Sequence, residues 1–133
     1  MSTPLVTRNI TTTSQGANGQ TITGLTAVTS TFETNLSETV AASSSNAEFA
    51  FTCPYSALQS LDISASAACT ILFNSTSAPI ATYNMAAGQL CHWDADLYAT
   101  NATTYPKPLS ANSTAVYVTC TNACVLNISA AYN

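Results

Sequence analysis

The stretch Ala115-Val-Tyr-Val-Thr-Cys-Thr-Asn-Ala-Cys-Val-Leu-Asn-Ile-Ser-Ala130 decides how the chain folds. Val116, Val118 and Cys120 alternate with Ala115, Tyr117 and Thr119. Leu126, Ile128 and Ala130 then alternate with Asn127 and Ser129. Alternation with period two places one set of side chains on each face of a β-strand. Thr121-Asn-Ala123 between them is short enough to read as a hairpin loop joining the last two strands.

The same period recurs upstream. Phe49, Phe51 and Cys53 share one face, Leu61 and Ile63 alternate with Asp62 and Ser64, and Cys69, Ile71 and Phe73 alternate with Thr70 and Leu72. Turn chemistry separates these runs. Asn74-Ser-Thr-Ser-Ala-Pro79 precedes a strand from Ile80 to Met85, and Ala86-Ala-Gly88-Gln89 turns into Leu90-Cys-His-Trp93. Pro106 and Pro108, bracketing Lys107, read as an irregular crossover. Strand formers dominate, while the helix formers Lys, Arg, Glu and Gln are scarce. Short strands at this spacing predict an all-β protein, a small antiparallel β-sandwich that is jelly-roll-like.

Apolar residues thin out toward the N-terminus. Residues 47–133 hold every cysteine, the single Trp and all six Tyr, and can supply a core domain. Residues 1–46 are rich in Thr, Ser, Asn and Gly, and are predicted to form an extended arm, or strands that contact partners. Candidate contact residues on it are Leu5, Val6, Ile10, Ile22, Leu25, Val28, Phe32 and Leu36.

Composition narrows the function classes. Of 133 residues, 47% are hydrophobic and 6% charged, against about 25% charged in ordinary domains. Arg8 and Lys107 are the only fixed positive charges, so neither a phosphate backbone nor an anionic membrane finds a basic patch. No apolar run reaches the length of a membrane span. The opening Met1-Ser-Thr-Pro-Leu-Val-Thr-Arg8 lacks a charged region followed by an apolar core, so synthesis and first folding in a cytoplasm are expected. A surface this poor in charge has little self-repulsion and suits a subunit of an assembly.

The chemistry-bearing residues are few. Five cysteines (Cys53, Cys69, Cys91, Cys120 and Cys124) are an odd number, mostly inside apolar strands, and read as buried thiols. Cys120 and Cys124 lack a second pair for zinc; a disulfide between them is a minor alternative. His92-Trp-Asp94-Ala-Asp96 is the one reactive cluster, but His92 is the only histidine. Zinc needs three or four convergent ligands, and two aspartates fall short of a calcium shell. The expected reading is a strand end where Trp93 packs and the polar residues face solvent or a partner. With one His, no Gly-x-Ser-x-Gly and no phosphate loop, neither an enzyme nor a cofactor is expected. Six Asn-x-Ser/Thr sequons (Asn9, Asn35, Asn74, Asn101, Asn112 and Asn127) read as a product of composition.

Several stretches carry a family resemblance: Tyr55-Ser-Ala-Leu-Gln-Ser-Leu-Asp-Ile63, Asn74-Ser-Thr-Ser-Ala-Pro79, Ala86-Ala-Gly-Gln-Leu90 leading to Trp93, Thr114-Ala-Val-Tyr-Val-Thr119 and Val125-Leu-Asn-Ile128. From Phe51 onward the chain resembles small capsid-associated virion proteins of tailed bacteriophages, of the cement or decoration type. The resemblance implies consecutive strands of a small β-sandwich and a structural protein without an active site. Its expected place is the outer capsid surface, its partner the major capsid protein, and its state a homo-oligomer, with a trimer favoured. Two other classes stay open. One is a tail or fibre component binding host glycans through Tyr83, Trp93, Tyr98 and Tyr105. The other is a secreted β-sandwich adhesin or lectin.

Overall fold

The computed structural model describes residues 6–15, 21–95 and 108–133, with side chains from Ser30 onward. Leu5, Asp96, Tyr98, Asn101, Tyr105, Pro106 and Lys107, all singled out above, lie outside the described residues. Ten strands and no long helix make up the rest: β1 (Val6–Gln15), β2 (Thr21–Ser30), β3 (Phe32–Val40), β4 (Ser44–Cys53), β5 (Leu58–Ala65), β6 (Cys69–Phe73), β7 (Ala81–Met85), β8 (Gln89–Asp94), β9 (Ser113–Cys120) and β10 (Cys124–Tyr132).

Two four-stranded antiparallel sheets form the sandwich, ordered β3-β10-β5-β8 and β4-β9-β6-β7. From β3 onward every connection crosses to the opposite sheet except β6 to β7, which is a hairpin. β1 and β2 pair only with each other, from Val6 opposite Ser30 to Gln15 opposite Thr21. β2 also lies against β5.

The inner faces are the alternating sets read from the sequence. Leu61, Ile63 and Ala65 of β5, Leu126, Ile128 and Ala130 of β10, and Trp93 of β8 come from one sheet; all are buried. From the other come Phe51 and Cys53, Val116 and Val118, Ile71 and Phe73, and Met85. Phe73 sits between Phe51 and Tyr83, with ring centroids 6.2 and 5.8 Å apart in edge-on geometry. That arrangement sets the positive edge of one ring against the negative face of the next.

Two expectations are corrected. Residues 121–123 are not a hairpin loop: β9 and β10 belong to different sheets, so this short link spans the sandwich. Cys120 and Cys124 can therefore both point inward, from opposite walls. The sandwich also begins at residue 32 rather than 47. β3 pairs along its whole length with β10, from Phe32 opposite Tyr132 to Val40 opposite Cys124, and Val40 is buried in the core. As an edge strand it is largely exposed, which is why its sequence reads as polar.

Asn74 shows how a loop residue can order the fold. Its backbone has φ of 69°, a conformation that asparagine tolerates better than most residues. Its side chain accepts from the Thr114 N–H at 2.7 Å and donates from Nδ2 to the Asn112 carbonyl at 2.7 Å, tying the β6–β7 turn to the start of β9. This sequon nitrogen is thus engaged within the fold.

Candidate functional site

On the outer face of the β3-β10-β5-β8 sheet the register lines up Asn35, Ser129, Asp62 and His92, one from each strand. The next row toward the end of the sheet is Glu33, Ala131, Ser60 and Asp94. Alternation along β5 and β8 sends Leu61 and Trp93 between the sheets and puts these residues on the opposite face of the sheet, where Ser60 and Asp94 are nonetheless buried.

His92 lies between two carboxylates. Its Nδ1 is 2.5 Å from Oδ1 of Asp62, directly opposite on β5, and its Nε2 is 3.0 Å from Oδ2 of Asp94, two residues on. The His92 side chain is 14% exposed, Asp62 25% and Asp94 0%. A neutral imidazole has one N–H, so both contacts are charge-assisted only when the ring is an imidazolium donating from both nitrogens. The Asp62 hydrogen bond, partly opposed by burial and reinforced by Asp94, raises the His92 pKa above its usual value. A carboxylate as enclosed as Asp94 requires such a partner, because an unpaired buried charge is costly.

This arrangement differs from a solvent-facing strand end. Trp93 does pack in the core, but Asp94 is fully enclosed. It also differs from a catalytic triad, in which one ring nitrogen must face a nucleophile. Here each nitrogen faces a carboxylate oxygen. Among the described residues no group of three or more His, Cys, Asp or Glu side chains is arranged to hold a metal ion. The recess beside His92, lined by Leu61, Ile63, Tyr83, Cys91, Trp93 and Pro108, measures about 50 Å³. Pockets that enclose organic ligands start at about 300 Å³.

The predicted contact residues separate into two groups. Val6 and Ile10 fall on β1, and Ile22, Leu25 and Val28 on β2, so the backbone gathers them on one ribbon; their side chains lie outside the described residues. Phe32 and Leu36 sit instead on β3, in the sandwich. Phe32 stacks on Tyr132 at 5.9 Å and remains 48% exposed. Leu36, opposite Ile128, packs against the core, so the sandwich itself uses it.

The aromatic platform proposed for glycans is incomplete among the described residues. Trp93 is buried, and Tyr83 is half-buried with its hydroxyl donating to the Pro108 carbonyl at 3.0 Å. Burial, with Cys91 nearby, pushes the Tyr83 phenol up to about 12. Asp62 is not legible in the sequence as a partner of His92, because cross-strand register cannot be read from one strand's alternation. Its signal is the one carboxylate in a strand whose other polar residues are Gln and Ser.

Comparison of the chain with family models, with curated proteins and with solved structures found no match.

Proposed function

We propose that this chain is a non-enzymatic virion structural protein that binds and stabilises the outer surface of a bacteriophage capsid, as a cement or decoration subunit. The observation that carries the reading is the strand order. β3-β10-β5-β8 facing β4-β9-β6-β7, with crossings between sheets at all but one connection, supports a jelly-roll reading of the sandwich. That architecture serves viral capsid and lectin domains alike. The Asp62–His92–Asp94 cluster, in which each ring nitrogen faces a carboxylate, and the small recess beside it favour a structural part over a ligand-binding one.

The ribbon of β1 and β2 supports a role in assembly. A two-stranded hairpin is marginal by itself in water. Apolar positions at Val6, Ile10, Ile22, Leu25 and Val28 would gain from docking on a neighbouring subunit, or from adding the ribbon to an exposed sheet edge. The partners are the major capsid protein and further copies of this chain, with a trimer as the favoured state. A stable contact needs about 800 Å² per partner. The low charge makes such contacts depend on apolar and backbone interactions rather than on steering.

The test is reconstitution. The full chain, added to shells stripped of it, should bind saturably at a fixed ratio to the shell protein. A chain beginning at Thr31, which keeps all eight sandwich strands, should bind far more weakly. Equal binding by the two would refute the role given to the ribbon, and failure of both to bind would refute the capsid reading.

A further inference from the structure

Three thiols meet at one end of the sandwich. Cys69 opens β6 and Cys120 closes β9, directly opposite each other in the register. Cys124 opens β10 on the facing sheet. All three are buried, at 7%, 5% and 0% exposure. The link from β5 to β6 docks on the start of β10: Ser66 N–H donates to the Val125 carbonyl at 3.0 Å, Val125 N–H to Ser66 Oγ at 2.7 Å, and Cys124 Sγ to the Ala67 carbonyl at 3.5 Å. These bonds place the start of β6, with Cys69, beside Cys124 at the start of β10. Cys120 turns away to the Ala41 carbonyl at 3.4 Å. An open groove of about 350 Å³, lined by Cys69, Thr70, Asn84, Met85, Cys120 and Thr121, gives access from outside.

We infer that Cys69 and Cys124 form an oxidation-dependent disulfide that staples the two sheets together, with a low-molecular-weight disulfide as the oxidant. The Cys69 thiolate attacks one sulfur of the external disulfide through the groove, giving a mixed disulfide and releasing one thiolate. The Cys124 thiolate then attacks the Cys69 sulfur and expels the second. Two protein thiols are oxidised, one external disulfide is reduced to two thiols, and the two protons pass through solvent to the released thiolates. Burial, with Cys124 and then Cys120 adding to it, pushes the Cys69 thiol up to about 12. The staple therefore forms slowly at neutral pH and faster in alkaline buffer, because the thiolate is the attacking species. This inference does not depend on the capsid role.

The test uses the full folded chain incubated with oxidised glutathione at alkaline pH, then denatured, alkylated and weighed intact. Alkylatable cysteines should fall from five to three, with a peptide linking Cys69 to Cys124. The melting temperature should rise by about 10 °C and return on reduction. Cys120→Ser should leave the reaction intact and Cys124→Ser should abolish it. If Cys124→Ser does not fold, the peptide map of the unaltered chain decides. Five alkylatable cysteines after incubation, or a link from Cys120 to either neighbour, would overturn the inference.

Discussion

Replacing His92 by glutamine removes the cation between Asp62 and Asp94 while keeping a side chain able to donate one hydrogen bond. Asp94, with 0% exposure, then loses the imidazolium 3.0 Å from its Oδ2. Breaking a buried pair from one side costs about 3–5 kcal/mol, and the amide returns about 1 kcal/mol as a neutral hydrogen bond. Asp62, at 25% exposure, keeps some solvation, so the net expectation is about 3 kcal/mol. Unfolding entropy of about 2.1 cal/mol/K per residue over 133 residues converts this to a fall in Tm of about 10 °C. The pH dependence gives a second reading. The His92 pKa is raised in the fold, so its contribution is complete below the unfolded value of about 6.5 and is lost as pH rises through the folded value. Calorimetry from pH 5.5 to 9 should show the unaltered chain losing stability on the alkaline side and the gap to His92→Gln closing. A Tm change under 2 °C at pH 6, or a gap that does not vary with pH, would refute the reasoning.

Other substitutions probe the frame. Phe73→Ala removes a fully buried ring between Phe51 and Tyr83 and should cost about 4 kcal/mol in urea unfolding; a loss below about 2 kcal/mol would mean the site collapses around the gap. Asn74→Ala removes two 2.7 Å hydrogen bonds and forces alanine to a φ of 69°, for an expected loss of about 3 kcal/mol; Asn74→Gly, free of the backbone penalty, should lose about 1 kcal/mol less. A chain beginning at Thr31 should unfold cooperatively with nearly the full chain's midpoint, because the two packed sheets are built from β3 to β10; loss of a cooperative transition would show that β1 and β2 belong to the folding unit.

How far the fold can be read without coordinates depends on whether the signal is local. Alternation is local, so the inward sets from Phe51 to Ala130 were identifiable residue by residue. Pairing is not local. Cys120 and Cys124 with three residues between them look like hairpin ends, yet they lie in opposite sheets, because burial of both inner faces outweighs the short-loop preference. β3 reads as part of the arm because an edge strand needs few inward apolar residues, and Leu36 and Val40 are spaced too widely to announce one. The His92 cluster was half visible. Asp94 is a neighbour in sequence, whereas Asp62 is brought opposite His92 only by the β5–β8 register.

Most direct for the central claim is the copy number of this chain in purified virus particles, measured by quantitative mass spectrometry against the major shell protein. A cement or decoration subunit should be present in hundreds of copies, near a simple ratio to the shell protein. A handful of copies would place it at the tail or a vertex, and none would contradict the account altogether.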